Sequence, residues 1–287
     1  MKEIVSLIVT HENRLRCIMK EFIGSANHYM NCCVLKLVME KRLGKINYDL
    51  SMVYDGETHK TGKYYISKQG VDTEKRLSFP HIVYTVDKLL NVKVDKLKSG
   101  VKYIFYIIRH AQSLHNLYNF MEKMISPLKL DTSITDIGIK QSENAGKFLN
   151  KYLGGIKIDY LFCSDLKRTR QTMSVICSKL NNKKPNKFIV IPCSHEVHYS
   201  KSGNCDKSMI RSIRSIAGEN RTVCNIKSDD EQCYEATYKS KNYDIDWSFY
   251  NKFYGNDGRQ FVYLKDSKYT CSRNDFIELM MKYINLY

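Results

Sequence analysis

A chain of 287 residues with 43% hydrophobic and 26% charged side chains has the composition of a folded α/β or mixed protein, and wholesale disorder is excluded. No apolar run approaches the roughly 20 residues of a membrane helix, and the opening MKEIVSLIVTHENR breaks too soon for a secretory leader, so a cytoplasmic protein with no membrane partner is expected. The formal charge of +16 fits a lysine-rich solvated surface or attraction to an anionic partner, either a phosphorylated substrate or nucleic acid.

In chain order, Ile4–Val9 reads as a strand apolar on both faces, and residues 13–23 read as a helix stopped at Gly24. A second strand is expected at Cys33–Met39. Residues 51–100 are polar and turn-rich around a short strand at Lys63–Ile66. Tyr103–Ile108 is another continuously apolar strand. The stretch 135–153 carries an apolar stripe of Ile137, Ala145, Phe148, Leu149 and Tyr152, and it ends at Gly154-Gly155. A strand at Tyr160–Cys163, a helix at 165–180 and a strand at Phe188–Ile191 follow. Residues 199–246, rich in Ser, Lys, Asn and Asp, read as a long insertion or lid. A last helix at 273–286 is entered through Ser272 with Asp275 three places on. Strands alternating with helices predict an α/β fold: a three-layer α/β/α sandwich around a mainly parallel central sheet.

The ten cysteines are scattered, without a CxxC pair, and are expected to be reduced thiols. His195, His198, Cys205, Cys224 and Cys233 match no standard zinc spacing, so no metal is assigned.

The sharpest chemical signal is YIIRHAQSLHN at 106–116, a buried strand running straight into Arg109-His110, with Asn116 six residues beyond the histidine. A neutral imidazole at a strand's carboxyl end can attack phosphorus, and an adjacent guanidinium can hold two phosphoryl oxygens in its planar fork. Taken alone, the pattern could also be a core strand that ends in two polar residues. This segment resembles the Arg-His-Gly signature of the histidine phosphatase superfamily, which includes the phosphoglycerate mutases. Three further segments resemble that family in order: Ile134, Thr135, Gly138 and Gln141; then Ser164, Leu166, Arg168, Gln171 and Thr172; then IPCSHEV at 191–197, which ends near Glu196.

The family's second histidine, expected downstream, is absent there: no histidine follows His198. EIVSLIVTHENRLRCIMKEFIG at 3–24 reads instead as the missing strand, histidine and helix, and MNCCVLKLVME at 30–40 resembles the strand after it. The chain therefore resembles a circularly permuted histidine phosphatase in one domain spanning 1–287. In this arrangement 1–66 is equivalent to the usual C-terminal part, 67–99 joins the old ends, and 100–287 is the usual beginning and middle. The alternative is an unrelated extension fused to an incomplete, dead phosphatase.

The resemblance implies a phosphomonoester hydrolase. His110 would be the phosphate-accepting nucleophile, and Arg109, Arg168, His11 and Asn116 would surround the phosphoryl group. Glu196 would be the proton donor, and no cofactor would be needed. The expected substrate is a phosphorylated small molecule or a phosphoprotein. Two departures stand out: Ala111 replaces the signature glycine, and Glu12-Asn13 replace the glycine pair after the second histidine, bringing a carboxylate towards an anion site. A mutase-type phosphotransferase is the alternative within the same chemistry. A catalytically silent module binding phosphate or nucleic acid is the alternative outside it, although no nucleic-acid-binding motif is present.

Overall fold

In the computed structural model of the chain, the described residues are 1–12, 14–16, 18, 29–43, 45–56, 82–85, 97–113, 116, 133–191, 194, 243–250 and 275–286. They form β1 (Lys2–Thr10), β2 (Val34–Arg42), β3 (Lys45–Tyr54), β4 (Ile82–Thr85), β5 (Val101–Arg109), α1 (Asp136–Leu153), β6 (Tyr160–Cys163), α2 (Lys167–Lys179), β7 (Lys187–Val190), β8 (Asp244–Asp246) and α3 (Asp275–Leu286). The strands make one eight-stranded sheet in the order β4-β3-β2-β5-β1-β6-β7-β8. The expected strand at 63–66 and nearly all of the expected lid lie outside the described residues.

The two most apolar runs become the two central strands. β1 and β5 pair in parallel along their whole length, from Lys2 beside Val101 to Thr10 beside Arg109. Leu7, Ile8, Val9, Phe105, Ile107 and Ile108 are fully buried. At about 1.5–3 kcal/mol for each such side chain, the N-terminal strand is part of the core and not an appendage. On one side β6, β7 and β8 continue the sheet in parallel, while on the other β2, β3 and β4 are antiparallel to their neighbours. The expectation of a mainly parallel sheet therefore holds for five strands and fails at the β2–β4 edge. There, β2 leaves Leu43, at φ 49°, and turns directly back as β3.

Helices contact both faces. On β5, successive side chains point to opposite faces: Tyr106 meets Tyr152 of α1 edge-on at 6.1 Å, whereas the Tyr103 hydroxyl reaches Asn285 of α3 at 3.5 Å. Tyr283 of α3 also packs edge-on against Tyr160 and Phe162, which lie on the Tyr103 face. The end of α3 thus lies beside the start of β5, next to the start of β1.

Three sequence expectations need correction. In the stripe assigned to α1, Ile137 and Tyr152 are exposed (36% and 42%), because the buried face is carried by Gly138, Ile139, Gln141, Ser142, Ala145, Gly146, Leu149 and Leu153. Small and polar residues serve there because the helix is drawn close to the loop after β5 at Gly138 and to α2 at Gly146. Residues 45–54, the last four of them assigned to a turn-rich region, form a full strand with Ile46, Tyr48 and Leu50 buried. Residues 244–246, placed at the end of the insertion, join the sheet beside β7.

Candidate active site

Four parallel strands end side by side, and the next residues of each converge: His11 after β1, His110 after β5, Ser164 after β6, and Ile191 with Ser194 after β7. This carboxyl end of a parallel sheet is where open α/β folds place their ligands. The backbone stitches the loops together: His110 N–H donates to Thr10 O at 2.9 Å, and Ser164 N–H donates to Val9 O at 3.2 Å.

The loop after β5 is held rigidly. Asn31 Nδ2 donates to His110 O at 2.9 Å, Ala111 N–H to Thr172 Oγ1 at 3.0 Å, and Gln112 N–H to Gln141 Oε1 at 2.9 Å. Thr135 caps α1 through Gly138 N–H and donates to Gln112 Oε1 at 2.6 Å, while Gln171 Oε1 accepts from Ile134 N–H at 2.9 Å. Gly138 is required by close approach, since a Cβ there would sit 2.2 Å from Gln112 O. Thr135, Gly138, Gln141, Gln171 and Thr172 of the sequence motifs thus position backbone around His110.

His110 and His11 are both buried, with ring centroids 5.1 Å apart. Arg168, on the first turn of α2, is 3% exposed and bridges them: its Nε lies 3.2 Å from His110 Nε2 and its Nη2 3.3 Å from His11 Nδ1. It is not a solvated helix-face arginine. His110 Nδ1 lies 2.7 Å from Ala111 O. A carbonyl only accepts and a guanidinium only donates. His110 is therefore a neutral imidazole with its proton on Nδ1 and its Nε2 lone pair facing the Arg168 guanidinium. Burial holds its pKa well below the ordinary histidine value, reinforced by the charge of Arg168 and by His11 and Arg109.

Arg109, 3% exposed, is gripped on two sides. Its Nη1 donates to Tyr29 O, and its Nη2 pairs with Glu12 Oε2 at 3.0 Å. The carboxylate that replaces the family's glycine thus lies on one arm of the guanidinium fork.

Residues 105–212 match the profile of the histidine phosphatase superfamily (branch 1). A fructose-2,6-bisphosphatase TIGAR of Xenopus tropicalis is 24% identical over 123 residues, 43% of this chain and 41% of the relative. A 2,3-bisphosphoglycerate-dependent phosphoglycerate mutase of Allorhizobium ampelinum is 35% identical over 74 residues, 26% of this chain and 32% of that protein. A broad-specificity phosphatase of Saccharomyces cerevisiae is 39% identical over 71 residues, 25% of this chain and 28% of that protein. The chain is thus similar to the histidine phosphatase superfamily over residues 105–212. It spans about two fifths or less of the length of these curated relatives. No solved structure matches it significantly.

Of the site residues expected for a histidine phosphatase, His110, His11, Arg109 and Arg168 come together in one buried cluster. Asn116 is nearby in sequence, but its Oδ1 accepts from Ser113 N–H and Oγ, closing the loop. Glu196 lies outside the described residues, as do His195, His198, Cys205, Cys224 and Cys233. The described cysteines Cys32, Cys33, Cys163 and Cys177 are buried. Burial pushes the Cys163 and Cys177 thiols up to about 12, which makes them poor nucleophiles. Sequence reasoning placed Asn31 and Ser164 in family-like segments without seeing that they bond His110 O and His11 Nε2, and it did not single out Asp165, which bonds Ser164. Among the described residues, no helix is long and apolar enough to cross a membrane.

Proposed function

We propose that the chain is a phosphomonoester hydrolase that works through a phosphohistidine on His110. The observation that carries this is the buried, neutral His110, whose Nε2 lone pair faces Arg168 between a second histidine and a second arginine. On this reading Nε2 attacks phosphorus, and the electron pair of the scissile P–O bond leaves with the alcohol oxygen. Arg168, Arg109 and His11 hold the phosphoryl oxygens, and Asn116 closes the loop beside them. Phosphoryl transfer rests mainly on such positioning and charge. Glu196 protonates the leaving oxygen and then takes a proton from the water that attacks the phosphohistidine. That role rests on the family resemblance, as does the histidine acid phosphatase-type classification. A phosphorylated small molecule or phosphoprotein in the cytoplasm is the substrate class, and no metal or organic cofactor enters the scheme.

The same reading takes the fold as a three-layer sandwich and the chain order as permuted. The support is topological. β1 precedes the family match yet occupies the middle of the sheet between β5 and β6, and it carries His11 to His110. The end of α3 lies beside the start of β5 and β1, where an α3-to-β1 connection would run in an unpermuted chain.

Mixing the protein with phosphorus-labelled p-nitrophenyl phosphate and quenching in alkali tests the intermediate. Acid-labile, alkali-stable label on wild type and none on His110→Ala is expected. Label that persists on His110→Ala would refute the assignment. The Glu12–Arg109 pair favours one other reading, a silent phosphate-binding module, and predicts phosphate binding without label or turnover.

A further inference from the structure

His11 faces Arg168 on one side and a polar chain on the other. Its Nε2 lies 3.0 Å from Ser164 Oγ, which lies 3.0 Å from Asp165 Oδ1, and the Tyr250 hydroxyl donates to Asp165 Oδ2 at 3.0 Å. His11 and Ser164 are fully buried, and Tyr250 is 3% exposed. The directions of these bonds are fixed by what each group can do. Arg168 can only donate, so His11 Nδ1 accepts; the imidazole proton is therefore on Nε2, donated to Ser164 Oγ. Ser164 in turn gives its own proton to the carboxylate. Leu166 N–H also points at Ser164 Oγ, at 3.3 Å, which leaves the hydroxyl proton for Asp165.

The geometry points to Asp165, anchored by Tyr250, as a positioning residue that lets His11 become an imidazolium when a phosphate group enters. This rests on the phosphate-binding role of His11 proposed above. Arriving phosphate draws the Arg168 Nη2 donor onto its own oxygens and frees His11 Nδ1. A phosphate monoanion then passes its proton to Nδ1, so that neutral imidazole and monoanion become imidazolium and bound dianion. The Nε2 proton stays on the bond to Ser164, and the negative charge of Asp165 at the end of that chain stabilises the imidazolium. Two groups oppose the new charge, Arg168 on α2 and Arg109 at the end of β5. Arg14 on His11's own segment adds a third cation. His110 is neutral, and Glu12 is paired with Arg109. With the Arg168 cation on the near nitrogen, a carboxylate wired to the far nitrogen decides whether His11 can be charged.

The test is imidazole nitrogen NMR of the full chain, with the His11 signals assigned by comparison with His11→Gln, during titration with inorganic phosphate. In wild type at pH 7.5, His11 should be the neutral Nε2–H tautomer when free and imidazolium when phosphate is bound. In Asp165→Asn the bound form should stay neutral at that pH, with its protonation moved down by about one pH unit, the order expected of one charge two hydrogen bonds away. Phosphate binding should weaken by about tenfold at pH 7.5 and recover towards pH 5.5. Ser164→Ala should reproduce the effect, and Tyr250→Phe should show it in weaker form. A merely structural role for Asp165 would weaken binding equally at both pH values, and that result overturns the proposal. So does a wild-type His11 that stays neutral with phosphate bound, or does not respond to phosphate. Hydrolysis of p-nitrophenyl phosphate measured in parallel separates the two readings. Charging of His11 without turnover supports the relay and sinks the hydrolase. Turnover by a protein whose His11 ignores Asp165 does the reverse.

Discussion

Replacing Glu12 by Gln should make this protein bind phosphate more tightly, although it removes an ion pair. Glu12 Oε2 lies 3.0 Å from Arg109 Nη2, and both side chains are largely withdrawn from water, at 17% and 3% exposure. Two charges about 4 Å apart near a protein surface attract by about 4 kcal/mol, and an incoming phosphate must displace or repel that carboxylate. Glutamine keeps the shape and one hydrogen-bonding oxygen but not the charge. If relaxation and solvent absorb about half or more of the Coulomb attraction, about 1–2 kcal/mol remains, or about five- to thirtyfold in Kd. The ligand-free variant should be less stable by about 1–3 kcal/mol, the cost of leaving a buried guanidinium without its charged partner. Phosphate should therefore raise its Tm more than it raises that of wild type. Calorimetric titration with inorganic phosphate at pH 7 measures both affinities. Equal or weaker binding by Glu12→Gln would refute the reasoning and make Glu12 a contributor to the pocket.

Other outcomes follow from the same geometry. The depressed pKa of His110 means that the unfolded chain takes up a proton below about pH 6.5 that the folded one refuses. Its contribution is therefore absent above that pH and turns destabilising as pH falls, by up to about 1.4 kcal/mol per pH unit. In urea melts between pH 7 and 5, His110→Gln should lose less stability than wild type, and parallel losses would contradict the assignment. Gly138→Ala should cost about 1–3 kcal/mol and reduce turnover, because its Cβ would meet Gln112 O at 2.2 Å and push the loop that carries His110. An unchanged Tm would show that the contact is not tight. A relinked chain, 97–287 followed by a short Gly-Ser linker and then 1–96, which keeps β4 beside β3, should fold and retain phosphate binding. If it stays unfolded while the original order folds, the permuted reading fails.

The sequence was most legible where burial is uniform. Ile4–Val9 of β1 and Tyr103–Ile108 of β5 are apolar at nearly every position because both faces are covered, and the strand endings in His11 and His110 mark the site. β3 was missed although its signal was present: Ile46, Tyr48 and Leu50 alternate with polar residues as a half-covered strand should, but the polar, turn-like run that begins at Asp55 was extended back over Ser51–Tyr54. β8, the three residues Asp-Ile-Asp, is a strand only because β7 offers its edge. Inside the site, residue types announced the histidines and arginines. Which nitrogen of each ring carries the proton depends on Arg168 and Ser164, brought from 153 or more residues away from His11. The Glu12–Arg109 pair likewise spans β1 and β5 and had to be seen folded. Residues such as Thr135, Gln141 and Thr172 were legible as a motif, but their task of holding backbone around His110 was not.

The most direct test of the account is hydrolysis of p-nitrophenyl phosphate by wild type, His110→Ala and His11→Ala, with circular dichroism to show that all three fold. The account predicts turnover by wild type, none by His110→Ala, and a loss of at least about a hundredfold for His11→Ala, the scale of removing one preorganised donor. Full activity in His11→Ala, or none in wild type across a panel of phosphate esters, would contradict it.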